Sequence, residues 1–125
     1  MGNINRVMLS GNLTRSPELK TTPGGMAVLQ MGIAVNGRRK NSQTGQWEDV
    51  PNYFDLTMFG NRAQAVSQYL GKGTKVMVDG ELRWRSWQDQ NGQNRSKVEV
   101  IVNEIEFARA AQPRQDSFAT EDLPF

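Results

Sequence analysis

Residues 53–71 read YFDLTMFGNRAQAVSQYLG, and the period of the pattern changes inside that stretch. From Tyr53 to Phe59 the residues alternate. Phe54, Leu56 and Met58 project one way, and Tyr53, Asp55, Thr57 and Phe59 the other, as on a strand with one face in a core. After Gly60 the spacing lengthens, so that Ala63, Val66 and Leu70 fall on one helical stripe. Asn61 is placed to cap its start and Gly71 to end it. A strand running directly into a short helix is the frame around which the remaining segments are placed.

Upstream, RVMLSGNL is an apolar run broken by Gly11 and followed by the turn-prone TRSPE. AVLQMGIAV at 27–35 follows Pro23-Gly24-Gly25, which reads as a turn. Downstream, KVMVDGELRWRSW and SKVEVIVNEIEF flank Asn91-Gly92, a strong hairpin dipeptide. The expectation is an all-β chain of five strands with one short helix between strands 3 and 4, the order of a five-stranded OB-fold barrel. Residues 1–107 form that barrel domain and 108–125 a disordered tail, made of a short linker and an acidic tip.

Composition excludes much chemistry. The chain has no cysteine and no histidine, which removes thiol nucleophiles, imidazole bases and the usual zinc ligand sets. Its thirteen Asp and Glu residues are scattered, most beside Arg or Lys or in turns, so no enzyme, no metal and no cofactor is expected. No apolar run approaches the ~20 residues of a membrane span, and the first residues carry no export leader. A cytoplasmic, nucleoid-associated protein with no membrane partner is expected. Charge is uneven: residues 1–107 carry thirteen Lys and Arg against ten Asp and Glu, whereas 108–125 carry two against three. That asymmetry assigns a polyanion to the body and a different partner to the tail.

Two long loops hold the basic and aromatic residues. Residues 36–52 carry Arg38, Arg39, Lys40 and Trp47. Residues 83–97 place Arg83, Arg85 and Trp87 on one strand face and Trp84 on the other. Guanidinium groups meet phosphates while exposed rings stack on unpaired bases, which suits a single strand better than a duplex. Trp84 is in phase with core-facing Leu82, so packing at the barrel or between subunits is its expected role. Tyr53 and Phe59 lie on the face that a barrel core does not use, and there they call for a partner. Val76 and Val78, or Ile101 and Ile105, depending on register, are candidates for a face buried between subunits.

The segments NRVMLSGNLTRSPELKTTPGG, FGNRAQAVSQYLGKGTKVMVDGELR and WQDQNGQNR resemble the barrel of bacterial single-stranded DNA-binding proteins, and EDLPF resembles their acidic C-terminal tip. The likeness spans residues 4–107 and the last five. It implies a non-catalytic OB-fold that assembles as a homotetramer and wraps single-stranded DNA. It implies base stacking at Tyr53, Phe59 and Trp87, and basic contacts at Lys72, Arg83, Arg85 and Arg95. It also implies that replication, recombination and repair proteins bind the tip, Glu121, Asp122, Leu123, Pro124 and Phe125. Arg39 stands where some members place another stacking Trp, and the linker before the tip is short. An RNA-binding OB module, an adaptor working through the tip alone, and a carboxylate-dependent nuclease are the competing readings of the residues.

Overall fold

The computed structural model describes residues 2–108. Six strands and one helix follow in the order β1 (Val7–Leu13), β2 (Glu18–Thr21), β3 (Ala27–Lys40), β4 (Trp47–Phe59), α1 (Asn61–Ser67), β5 (Lys75–Gln88) and β6 (Asn94–Phe107). The sheet runs β1-β5-β6-β4-β3-β2, and a further β1–β3 pairing closes it. Five long strands therefore form the expected barrel. The short β2 is added along β3, so the expected helix lies between β4 and β5 of the full series.

Closure depends on a close approach. Asn12 and Leu13 of β1 pair with Ala34 and Ile33 of β3. A Cβ on Gly11 would collide with the Ala34 carbonyl, so the strand that closes the barrel carries no side chain where it crosses its neighbour. On the other side β4 and β6 run parallel through Leu56–Val100 and Thr57–Ile101, the one parallel contact in an otherwise antiparallel sheet.

Alternation fills the interior. Leu13, Leu29, Met31, Ile33, Leu56, Met58, Val76, Val78, Val100, Val102 and Ile105 form one buried cluster, and α1 adds Ala63, Val66 and the following Leu70. Full burial of each large side chain is worth about 1.5–3 kcal/mol. Ile105 keeps its inward phase because β6 slips by one residue against β5, where Asp79 faces Glu104 but Gly80 faces Val102. Arg62 ties α1 to β6 by donating to Glu104 at 2.9 Å. The Ile105 amide and Arg62 together hold the Glu104 carboxyl below its ordinary range.

Three expectations change. Gly60, with no side-chain capping bond, precedes the helix, so Asn61 is its first residue and not its cap. Helical geometry ends at Ser67, although Tyr69 and Leu70 still donate to the carbonyls of Val66 and Ser67. Val76, Val78, Ile101 and Ile105 are buried within the single chain, so none offers a face for a second subunit. Exposed apolar surface comes instead from Met8, Met77, Leu82, Trp84 and Val98.

Candidate nucleic-acid interface

The two stretches expected as long loops are mostly strand. β3 pairs with β4 without a break from Val28–Phe59 to Lys40–Trp47, and β5 with β6 out to Gln88–Asn94. Only residues 41–46 and 89–93 remain as tips, the second containing Asn91-Gly92. Because directly opposed residues share a face, the registers state which functional side chains stand together.

Tyr53 and Phe59 lie on the outer face of β4, Tyr53 with 69% of its surface exposed. Phe54 has the inward phase yet stays partly exposed, since β4 gains β6 as a second neighbour only at Leu56 and Thr57. Across that outer face, Arg83, Arg85 and Trp87 of β5 oppose Glu99, Lys97 and Arg95 of β6. The Arg85 guanidinium lies 4.7 Å from the Trp87 ring centroid, a cation–π contact that covers one ring face and leaves N–H groups for an anion.

Between β4 and β6 the surface sinks into a polar basin of about 130 Å³. Lys97 Nζ reaches Asp55 at 2.8 Å, and Arg15 approaches the same carboxylate at 3.9 Å. Arg15 crosses β3 over Gly32, where a Cβ would strike its guanidinium and the Thr14 hydroxyl. Deeper, the Thr57 hydroxyl donates to Glu99 at 3.1 Å, and Arg85 pairs with Glu99 at 3.4 Å. Glu99 is the buried member, with its side chain 11% exposed. Three cations against two carboxylates leave the basin positive, with each cation held in place before any ligand arrives.

Sequence reasoning missed Arg15 and Lys97. Lys97 carried a signal, being two residues from Glu99 on one face of β6. Arg15 carried none, because only barrel closure and Gly32 bring it over the sheet.

The expected residues divide by position. Tyr53, Phe59, Arg83, Arg85, Trp87 and Arg95 share the outer face of β4, β5 and β6. Arg95 is held by Asp89 at 3.0 Å, and that pairing, with the Gln93 and Asn91 amides, depresses the Asp89 carboxyl below its ordinary range. On β3, Arg38 and Lys40 oppose Asp49 and Trp47 on the Tyr53 side, whereas Arg39 opposes Glu48 on the reverse. Lys72 lies in the turn between α1 and β5, at the far end of β5 from Arg83.

Trp84 does not pack against the barrel of its own chain. It is 65% exposed, and with Ser86, Gln88 and Asn94 it borders a cavity of about 470 Å³ on the hairpin. Its phase matches the core, but the barrel has ended by that point in β5, and Leu82 is also exposed. The tip residues Glu121, Asp122, Leu123, Pro124 and Phe125 lie outside the described residues. Among the described residues no group of three or more carboxylates could hold a metal ion, and no helix is long and apolar enough to cross a membrane.

Residues 4–108 match the model of the single-strand binding protein family. The chain is 47% identical over 108 residues to a single-stranded DNA-binding protein of Borreliella burgdorferi, covering 86% of this chain and 71% of the relative. It is 42% identical to one from Treponema pallidum, with 86% and 59% covered, and 40% identical to one from Wolinella succinogenes, with 94% and 72% covered. Among solved structures it is similar to a deletion mutant of the single-stranded DNA-binding protein from Thermus aquaticus, at TM-score 0.75 and 30% identity over 86% of this chain and 52% of that one. A Plasmodium falciparum protein solved with single-stranded DNA shares the fold, at TM-score 0.78 and 24% identity over 86% and 97% of the two chains.

Proposed function

The chain belongs to the single-strand binding protein family, and from that premise we propose that it binds single-stranded DNA without sequence preference and protects it. It is a binding protein and not an enzyme. The observation that carries this reading is the outer face on which the rings of Tyr53, Phe59 and Trp87 flank a basin of preset cations, Arg15, Arg85 and Lys97. Rings stack on bases of any identity, and cations take phosphates of any sequence. A duplex offers the cations but not the free base faces.

In the same proposal Arg38, Lys40, Arg83 and Arg95 take phosphates along the hairpins. Arg39 and Lys72 contribute charge from outside that face. Residues 1–107 act as the binding domain. The acidic pair Glu121-Asp122 beside Leu123-Pro124-Phe125 is bound by replication, recombination and repair proteins, with Phe125 as the apolar anchor. A homotetramer associated with the nucleoid completes it: the exposed Met8, Met77, Leu82 and Val98 offer apolar surface for subunits to cover.

Competition among matched single-stranded DNA, RNA and duplex strands of equal length tests the reading. Single-stranded DNA should compete best and the duplex worst. A duplex that competes as well as either single strand would contradict stacking. RNA as the best competitor would transfer the site to the RNA-binding class.

A further inference from the structure

We propose that Trp47 is an additional base-stacking residue of this chain, which extends the strand path along β4 onto the β3–β4 hairpin; this rests on the single-strand reading above. The unbroken β3–β4 register puts Trp47, Tyr53 and Phe59 on one face of a single strand at six-residue intervals. At ~3.3 Å per residue the rings follow one another at roughly 20 Å. Trp47 is 58% exposed although it belongs to a regular strand, and no core lies on that side for it to join.

Its surroundings repeat those of Trp87. The Arg38 guanidinium lies 5.6 Å from the Trp47 centroid, as Arg85 covers Trp87. One face of each indole is thus braced by a cation while the other stays available to a base. Lys40 stands directly opposite Trp47. Neither Arg38 nor Lys40 holds an ion pair among the described residues, whereas the basin cations are already paired. A phosphate arriving at the hairpin therefore meets two cations that hold no ion pair, with Asp49, opposite Arg38, as the single carboxylate on that face of the hairpin. Arg39, on the reverse face, is not the stacking substitute; Trp47, from the opposing strand, supplies the ring.

The test uses the full chain and its Trp47→Ala, Trp47→Phe and Trp87→Ala variants, with end-labelled oligo-dT of graded length followed by anisotropy. Trp47→Ala should leave the shortest bound strands unaffected and weaken long ones by about tenfold or more, the size expected for losing one stacked base. Trp47→Phe should restore most of that loss, and the light-scattering mass should not move. Unchanged affinity at every length for Trp47→Ala, with Trp87→Ala weakened, would overturn the Trp47 assignment and leave the functional reading standing. An equal loss at all lengths, or a changed mass, would also overturn it, marking Trp47 as an inner-site or assembly residue. If neither variant weakened any length, the functional reading would fall with it.

Discussion

Val78 and Trp84 sit on the same strand in the same phase, yet Val78 is 1% exposed and Trp84 65%. The difference lies in what surrounds β5. At Val78 it is flanked by β1 on one side and β6 on the other, and the closed barrel supplies a filled interior. Beyond Gly80 β1 no longer pairs with it; the Asn5 side chain still bonds the Leu82 backbone, and past that point β5 continues with β6 alone as a projecting arm. β3 and β4 behave alike, with Met31 and Leu56 sealed in the barrel and Arg39 and Glu48, in the same inward phase, in solvent at the arm. Each of these two strand pairs thus serves twice, as wall where the barrel is closed and as a two-sided ribbon where it is not. Stability is concentrated in the first region, whereas the proposed ligand face starts on the outer wall of the barrel at Phe59 and the basin and continues along the arms.

Substitutions that separate the two regions test this division. The largest effect should come from the barrel: Ile33→Ala, at a fully buried position, should cost about 2–5 kcal/mol of stability. Trp84→Ala on the arm should leave the thermal midpoint unchanged, as read by calorimetry. A similar drop from both would mean that the arm is part of the core after all.

Next in size is Trp87→Ala, which should lose the ~1–3 kcal/mol per base that stacking contributes in OB-fold single-strand binders, with no change in midpoint. A destabilised variant with intact binding would reverse the division. A smaller effect belongs to the basin. Lys97→Ala removes one phosphate contact, so the slope of log affinity against log salt for single strands should fall by about 0.7. Asp55→Asn should act oppositely and raise affinity, because it frees Lys97 and Arg15 from their carboxylate. Reduced affinity would make Asp55 a necessary brace.

The smallest effect concerns acid. The folded Asp89 carboxyl titrates below its unfolded value because Arg95 and the Gln93 and Asn91 amides favour its charged form. Its contribution to the hairpin turn is therefore present above the ordinary carboxylate range and lost as pH falls through the lowered folded value. The Gln93 amide signal should stay constant from neutrality down to that range and shift only below it. In Asp89→Asn that step should be missing.

Much of the barrel was legible in the residues. The alternation at 53–59, the helical stripe of Ala63, Val66 and Leu70 and the hairpin around Asn91-Gly92 each record a local preference that the fold obeys. β2 was not legible, because Glu18–Thr21 is exposed throughout and carries no alternation. The arms read as loops for a related reason: a ribbon without a core on either side needs no apolar phase. Trp84 shows the limit most clearly. Its phase was right, but burial depends on where β1 stops, and nothing near residue 84 encodes that. Arg15 reaches the interface only through closure and the bare backbone at Gly32, a tertiary event with no local trace.

The central claim is that exposed rings and preset cations on one outer face act together on a single strand. Titrating the chain with poly-dT while following its tryptophan fluorescence, at several salt concentrations, tests both halves in one measurement. The account predicts strong quenching at a sharp stoichiometric endpoint, with affinity falling steeply as salt rises. Binding without quenching, or with an affinity indifferent to salt, would contradict it.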